Sequence, residues 1–491
     1  MTPTPPDTRR SGGPLILALG LAAMVVAMAQ TQVIPILGLL QQELDTTPAG
    51  VGWVTTATLL SAAVFTPLLG RFGDQHGKRP TLIGVLIVMI AGSVLAAVTS
   101  SLPLLIVGRV LQGAATAIFP LALSIIREEV PVEKLPGAMA LISGTLAFGS
   151  GLSLVATGLL TRGDDPNYHL VFWFSGILSV VALVAVLIRV PASRVKAGGR
   201  IDLLGAATLG LFLVLLLLGI SQGHEWGWAS GRTVGSFVGA VVMAFVWVLV
   251  ERRVADPLVD LRMFVHRPVL LTNLAGLFVG FAAFTQFIGI SYLVQMPERV
   301  AGYGFGASVL RASVEYLLPG ALISLLAAPL GGLLVGRIGA RATLAIGSAV
   351  GVAGFAWLAF GHGASASVIL AGMLTGIAIS FGYAAMPALI VAGVPHHQTG
   401  IANGINSISR SVGSSIASAV ITSLLASESV EGLPPGLPPI PTESRFTLGF
   451  VIAGVMLVLV VGVALLGLQR VPARAESTAV SHPRIRESAD A

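Results

Sequence analysis

The chain has 491 residues, of which 55% are hydrophobic and only 10% charged, with a formal net charge of +6 and no cysteine. A soluble globular chain carries about 25% charged residues, so this one cannot cover itself with polar surface and belongs in a membrane. Disulfides, thiolate metal sites and thiol nucleophiles are excluded, and the surplus cations lie in short segments between apolar runs, which argues against nucleic acid as a partner.

A bilayer-spanning helix needs about 20 apolar residues, and fourteen runs qualify in chain order. Residues 1–13 form a tail carrying Arg9 and Arg10. The run after it is longer than a signal-peptide h-region and lacks a small-residue cleavage site, so it reads as a retained first helix. Six spans come first, at 14–39, 51–69, 80–99, 102–126, 137–160 and 170–188. Two follow as a pair, at 201–220 and 233–250. Six more finish the chain, at 269–294, 313–335, 342–360, 364–391, 400–425 and 446–468. The expected organisation is an N-terminal tail 1–13, a six-helix half 14–190, a linker 191–267 holding the inserted pair, a second six-helix half 268–470 and a polar tail 471–491. Segment 427–445 is proline-rich and reads as irregular; the tail reads as disordered. With both termini inside, the cytoplasmic segments hold 21 of the 28 Lys and Arg, and the outer ones hold 5. That asymmetry sets the expected orientation.

Between the second and third spans lies Gly70-Arg71-Phe72-Gly73-Asp74-Gln75-His76-Gly77-Lys78-Arg79. It reads as a short, tightly turned loop, with Asp74 set among three cations, Arg71, Lys78 and Arg79. A phosphate-binding P-loop is excluded, because Gly77-Lys78 is followed by Arg79 and not by Ser or Thr. The pattern G-x-x-x-D-x-x-G-K-R resembles the loop between the second and third helices of the major facilitator superfamily. Gly336-Arg337-Ile338-Gly339 echoes its start, again before a Thr-Leu. Leu111-Gln112-Gly113 matches Leu374-Thr375-Gly376, and Gly137 matches Gly400 at the same offset. Such repeats are the design of transporters with two parallel halves around a central site.

Fourteen spans with an inserted pair resemble the fourteen-helix drug:proton antiporter branch of that superfamily. Arg109-Val-Leu-Gln-Gly113, Tyr292-Leu-Val-Gln295, Pro319 and the Asn- and Gly-rich thirteenth span also carry the likeness. The resemblance implies an all-α polytopic fold and a secondary active, multidrug-efflux-type exporter of small, largely apolar compounds. It further implies alternating access by rocking of the halves, proton drive, no cofactor and no enzymatic activity. The expected setting is a monomer in the plasma or inner membrane with both termini cytoplasmic, whose partners are a small-molecule substrate, protons and lipid. An uptake permease and a non-transporting sensor are the alternatives.

Several polar residues lie at membrane depth. Arg109 is seven residues into the fourth span, about 10 Å from its end, with Gln112 and Thr116 on the same face. It costs several kcal/mol there unless it faces a cavity or a partner. Cavity lining is the expected role, and a tie to helix carbonyls is the alternative. Arg410 is about 15 Å into the thirteenth span, on a stripe with Asn403, Asn406 and Ser414 that fits either a cavity wall or hydrogen bonding between helices. The only acid read as lying clearly within a helix is Glu315, near its outer end with Arg311 one turn earlier, and it is the proton-coupling candidate. In the resembling branch the first helix carries an Asp nine residues before a Pro matching Pro35. Here that place holds Val26, with Gln30, Thr31 and Gln32 nearby as cavity candidates. The fifth span keeps the glycines of the antiporter signature in Phe148-Gly149-Ser150-Gly151 but not its proline. Both departures leave the driving ion to Glu315 or to another mechanism. His396-His397 do not read as a metal pair, since adjacent helical residues point about 100° apart. Phe281, Phe284, Phe287 and Tyr383 fit pocket, core or lipid-facing roles.

Overall fold

The computed structural model describes residues 12–46, 48–162, 166–192, 202–254, 257, 261, 265–394, 398–430 and 440–468. Among them fourteen helices are long and apolar enough to cross a membrane. We label them α1 (Gly13–Thr31), α2 (Pro48–His76), α3 (Lys78–Val98), α4 (Leu102–Glu129), α5 (Leu135–Leu160), α6 (His169–Arg189), α7 (Leu203–Trp226), α8 (Gly231–Glu251), α9 (Arg267–Gln295), α10 (Ala312–Ile338), α11 (Ala340–Phe360), α12 (Ser365–Gly393), α13 (Thr399–Ala426) and α14 (Glu443–Gly467). Helices satisfy every backbone polar group internally, which is what a hydrocarbon solvent demands. Many large apolar side chains point outward, such as Val241, Leu326 and Phe360, as a lipid-facing surface requires. His396 and His397 lie outside the described residues, as do 471–491.

Two departures from regular α-helix fall beside prolines. Pro35 lacks an amide N–H, and the first span breaks there into a 3-10 turn, Ile34–Ile36, and a short helix, Leu37–Glu43. Pro319 follows a π-helical turn, Ala312–Leu317, that opens α10. Asp202 caps α7 by accepting from the Gly205 amide at 2.7 Å, the N-cap role of a short acid.

The segment Gly70–Arg79 is the main correction to the sequence reading. Residues 70–76 are the last two turns of α2, and Lys78 already opens α3. The connection is Gly77 alone, at φ 113°, a conformation that glycine adopts without steric cost. Gly339 makes the same turn between α10 and α11 at φ 88°, so the repeat is visible in the backbone. Gly70 and Gly73 serve close packing instead. A Cβ at Gly73 would lie 2.4 Å from Leu121, and one at Gly70 would lie 3.3 Å from the Gly400 carbonyl oxygen.

The first half packs around Leu82, Leu86, Met89, Ile118 and Val186. The second packs around Tyr316, Phe355, Phe450 and Leu457, with Phe281 buried in the same core and Phe284 and Phe287 against it. Two seams join the halves. Along one, α5 and α10 approach through small residues: a Cβ at Gly144 would lie 2.5 Å from that of Ala328, and one at Gly332 would lie 2.6 Å from Gly137. Along the other, α2 meets α13, and α7 packs over both. There Leu209, Leu213 and Leu217 share one apolar cluster with Ala63 of α2 and Ile401, Ala402 and Ile405 of α13. Thr56 of α2 bonds Ser221 and Gln222 of α7 at 3.1 and 3.3 Å. The inserted pair is thus fastened to the second seam.

Candidate functional site

Arg109 is fully buried. Its Nε donates to the Val54 carbonyl of α2 at 3.1 Å, and its Nη1 donates to the Ala29 carbonyl of α1 at 2.8 Å and to Gln112 Oε1 at 2.5 Å. Gln112 in turn donates to Ser93 of α3 at 2.9 Å. One guanidinium on α4 therefore reaches three further helices of the first half, two directly and one through Gln112. A rigid fork of donors makes arginine suited to this. Only Nη2 lacks a hydrogen-bond partner. Nearby, Gln30 Nε2 donates to Thr116 Oγ1 at 3.4 Å, and Thr31 Oγ1 donates to the carbonyls of Ala27 and Ser150. The sequence candidates thus fall in two sets: Arg109 and Gln112 tie α4 to α1, α2 and α3, while Gln30, Thr31 and Thr116 join α1 to α4 and α5. Val26 is buried in the apolar core of this half.

Arg410 occupies a different place, between the halves. Its Nη1 donates to Asn406 Oδ1 at 2.6 Å and its Nη2 to Ser407 Oγ at 3.3 Å. The Asn406 amide donates to the Thr272 carbonyl and to Asn273 Oδ1 of α9. The guanidinium carbon lies 5.2 Å from the ring centroid of Phe119, on α4, and 5.0 Å from that of Tyr383, on α12. Asn403 is set apart, donating back to the Thr399 carbonyl. Glycines hold the stripe against α9, where a Cβ at Gly280 would lie 2.2 Å from the Arg410 carbonyl oxygen.

At one end of the bundle the signature residues form an inter-half contact. Asp74 is buried at 2% exposure, with Lys78 Nζ at 3.7 Å. Lys78, also buried, bonds Glu128 at the end of α4. Across the seam, the Asp74 carboxylate abuts Gly400, at the N-terminus of α13: a Cβ on that glycine would lie 2.8 Å from it. A carboxylate is stabilised there by the helix dipole and the free first-turn amides. Arg127 supplies the opposite pairing. It bonds Thr399 and donates to the Val391 and Val394 carbonyls at 2.9 and 3.3 Å, at the C-terminal end of α12. An anion on one helix start and a cation on the neighbouring helix end thus hold the facing ends of α12 and α13 from the other half. Arg79 instead reaches the Leu187 carbonyl of α6. Sequence reasoning passed over Arg127 and Glu128, although both are charged residues ending an apolar run beside the signature segment.

Glu315 sits in the π-turn at the opposite end of α10, paired with Arg311 at 2.6 Å, with the two side chains 35% and 50% exposed. It is not the only acid in a helical span, because Asp74 lies in the last turns of α2.

A membrane bundle of two packed six-helix halves, with arginines buried within it and a charged grip at one end of the seam, is the architecture of a secondary transporter. The chain belongs to the Major Facilitator Superfamily, whose family profile matches residues 19–417 and again 296–488. It is 29% identical over 404 residues to the tetracenomycin C resistance and export protein of Streptomyces glaucescens, covering 80% of this chain and 72% of that one. It is 24% identical over 402 residues to multidrug resistance protein 3 of Bacillus subtilis, covering 81% and 76%. Among solved structures, its fold is similar to that of the human organic anion transporter MFSD10, at a TM-score of 0.64 and 14% identity over 92% of this chain and 99% of that one.

Proposed function

We propose that this transporter exports small, largely apolar compounds from the cell, driven by the proton gradient, with the face bearing Gly70–Arg79 turned to the cytoplasm. The observation that carries the reading is the inter-half grip of Asp74 and Arg127 on the facing ends of α12 and α13. Such a contact closes one face of the seam and must break for the halves to rock. Relatives named for resistance and export support the direction. Susceptibility profiling of a deletion strain against a broad panel of toxic compounds tests it: sensitisation to several is expected, whereas a growth defect on one nutrient would favour uptake.

Orientation is testable because the chain has no cysteine. His76 and Ala229 are exposed at opposite faces. A membrane-impermeant thiol reagent applied to whole cells is expected to label Ala229→Cys and not His76→Cys. The reverse pattern would invert the topology.

For proton coupling we favour Glu315, since loss of its charge on protonation would release Arg311 and loosen the π-turn that opens α10. Proteoliposomes of the wild type are expected to release protons on substrate addition, and those of Glu315→Gln several-fold less. Equal release from both would move the coupling group to Asp74.

A further inference from the structure

The buried guanidinium of Arg410 is the group least explained by architecture alone. Its hydrogen-bond acceptors, Asn406, Ser407 and the Tyr383 hydroxyl, are neutral, and among the described residues no carboxylate is paired with it. Its remaining neighbours are two ring faces, Phe119 and Tyr383. The three residues share one depth. Arg410 is eleven residues from Thr399, Phe119 ten from Glu129 and Tyr383 ten from Gly393, which puts each about 15–17 Å from the same end at 1.5 Å per residue.

They do not share one half. Arg410 and Tyr383 are on α13 and α12, while Phe119 is on α4. Rocking of the halves therefore withdraws Phe119 from the guanidinium and leaves Tyr383 in place. What is uncovered is a fixed cation that keeps its Tyr383 contact and has lost its Phe119 one. Asn406, tied to α9 through Thr272 and Asn273, and the close backbone approach at Gly280 keep that cation from swinging away. A guanidinium plane stacks on aromatic faces and forks onto carboxylates. Phe119 is then an internal stand-in for the ring of a ligand.

Resting on the transporter reading above, we infer that Phe119, Arg410 and Tyr383 form a recognition slot for planar aromatic anions, such as aromatic carboxylates and acidic phenols, with Phe119 occupying the ligand's place when the slot is shut.

The test uses the purified full-length protein and three probes, 2-naphthoate, its neutral isostere 2-naphthamide, and the non-aromatic cyclohexanecarboxylate, with binding measured by isothermal titration. The wild type is expected to bind naphthoate at least tenfold more tightly than either of the others. Arg410→Gln should bring the naphthoate-to-naphthamide ratio close to one, and Arg410→Lys should preserve most of it. Phe119→Leu and Tyr383→Leu should lower the naphthoate-to-cyclohexanecarboxylate ratio about fivefold while leaving the charge preference within about twofold. Each variant is checked for a cooperative melt, and the Lys and Leu variants keep the test decisive should Arg410→Gln not fold. The inference is overturned if naphthamide binds as tightly as naphthoate, if naphthoate does not bind the folded wild type, or if a folded Arg410→Gln keeps the wild-type ratio. Sensitisation of the deletion strain without naphthoate binding would sink the slot and leave export standing. The predicted binding ratios without any sensitisation would support the slot and sink export.

Discussion

Replacing Arg109 with alanine is expected to destabilise the first half by several kcal/mol, since each buried acceptor left without its donor costs about 1–3 kcal/mol and the cavity left behind adds to it. The substitution would strip donors from the Ala29 and Val54 carbonyls and from Gln112. It would also leave a cavity where α1, α2 and α4 meet. Arg109→Lys keeps the charge but not the fork, so it should fall between alanine and wild type. Thermal unfolding of detergent-purified protein checks this, with the aggregated fraction after extraction as a second readout. A folded Arg109→Ala with a wild-type melt and no transport would mean that the free Nη2, and not the carbonyl ties, carries the residue's role. That outcome would restore the cavity-lining expectation.

The Arg109 case also marks where sequence reading stops. Helix number was legible because each span is a long apolar run, and a hydrocarbon solvent leaves such a run few alternatives to helix. Position along a helix was legible for the same reason: α4 opens at Leu102 and α13 at Thr399, which sets Arg109 seven and Arg410 eleven residues in. Direction around the helix was not. Both arginines lie on polar stripes, yet one ties the helices of a single half together and the other lies between the halves. What separates them is the identity of residues on other helices, Ala29 and Val54 in one case and Phe119 and Tyr383 in the other. The signature segment failed in a different way. Three glycines and five charged or histidine side chains suggest a loop by local propensity, but Gly70 and Gly73 are helical because close packing needs their missing side chains. In a membrane, small residues mark helix contacts as often as breaks.

Asp74→Asn is expected to abolish most transport while leaving protein level near normal. The carboxylate is buried at the joint between α2 and the N-terminus of α13, where an anion contributes up to about 2 kcal/mol, and it also neutralises Lys78 at 3.7 Å. Asparagine is nearly isosteric, so packing at Gly400 survives and only the charge is lost. Lys78 retains Glu128, and the Arg127 contacts remain, which is why folding should not suffer. Losing up to about 2 kcal/mol from one state alone shifts the balance between facing states up to roughly 30-fold toward opening at this end. A cysteine at Gly404 reads that shift. A Cβ there would meet α2 near Thr66 and Pro67 no closer than 3.6 Å, so the substitution fits the closed seam and becomes reachable when it opens. In the Asp74→Asn background its labelling by N-ethylmaleimide should rise at least tenfold over the Gly404→Cys background alone. Gly400→Val, which drives a side chain into the carboxylate, should raise it in the same direction. Unchanged labelling together with wild-type efflux would reduce Asp74 to a buried ion pair with no part in closing the seam. Unchanged labelling with lost efflux would instead assign Asp74 to proton coupling, the role tested separately at Glu315.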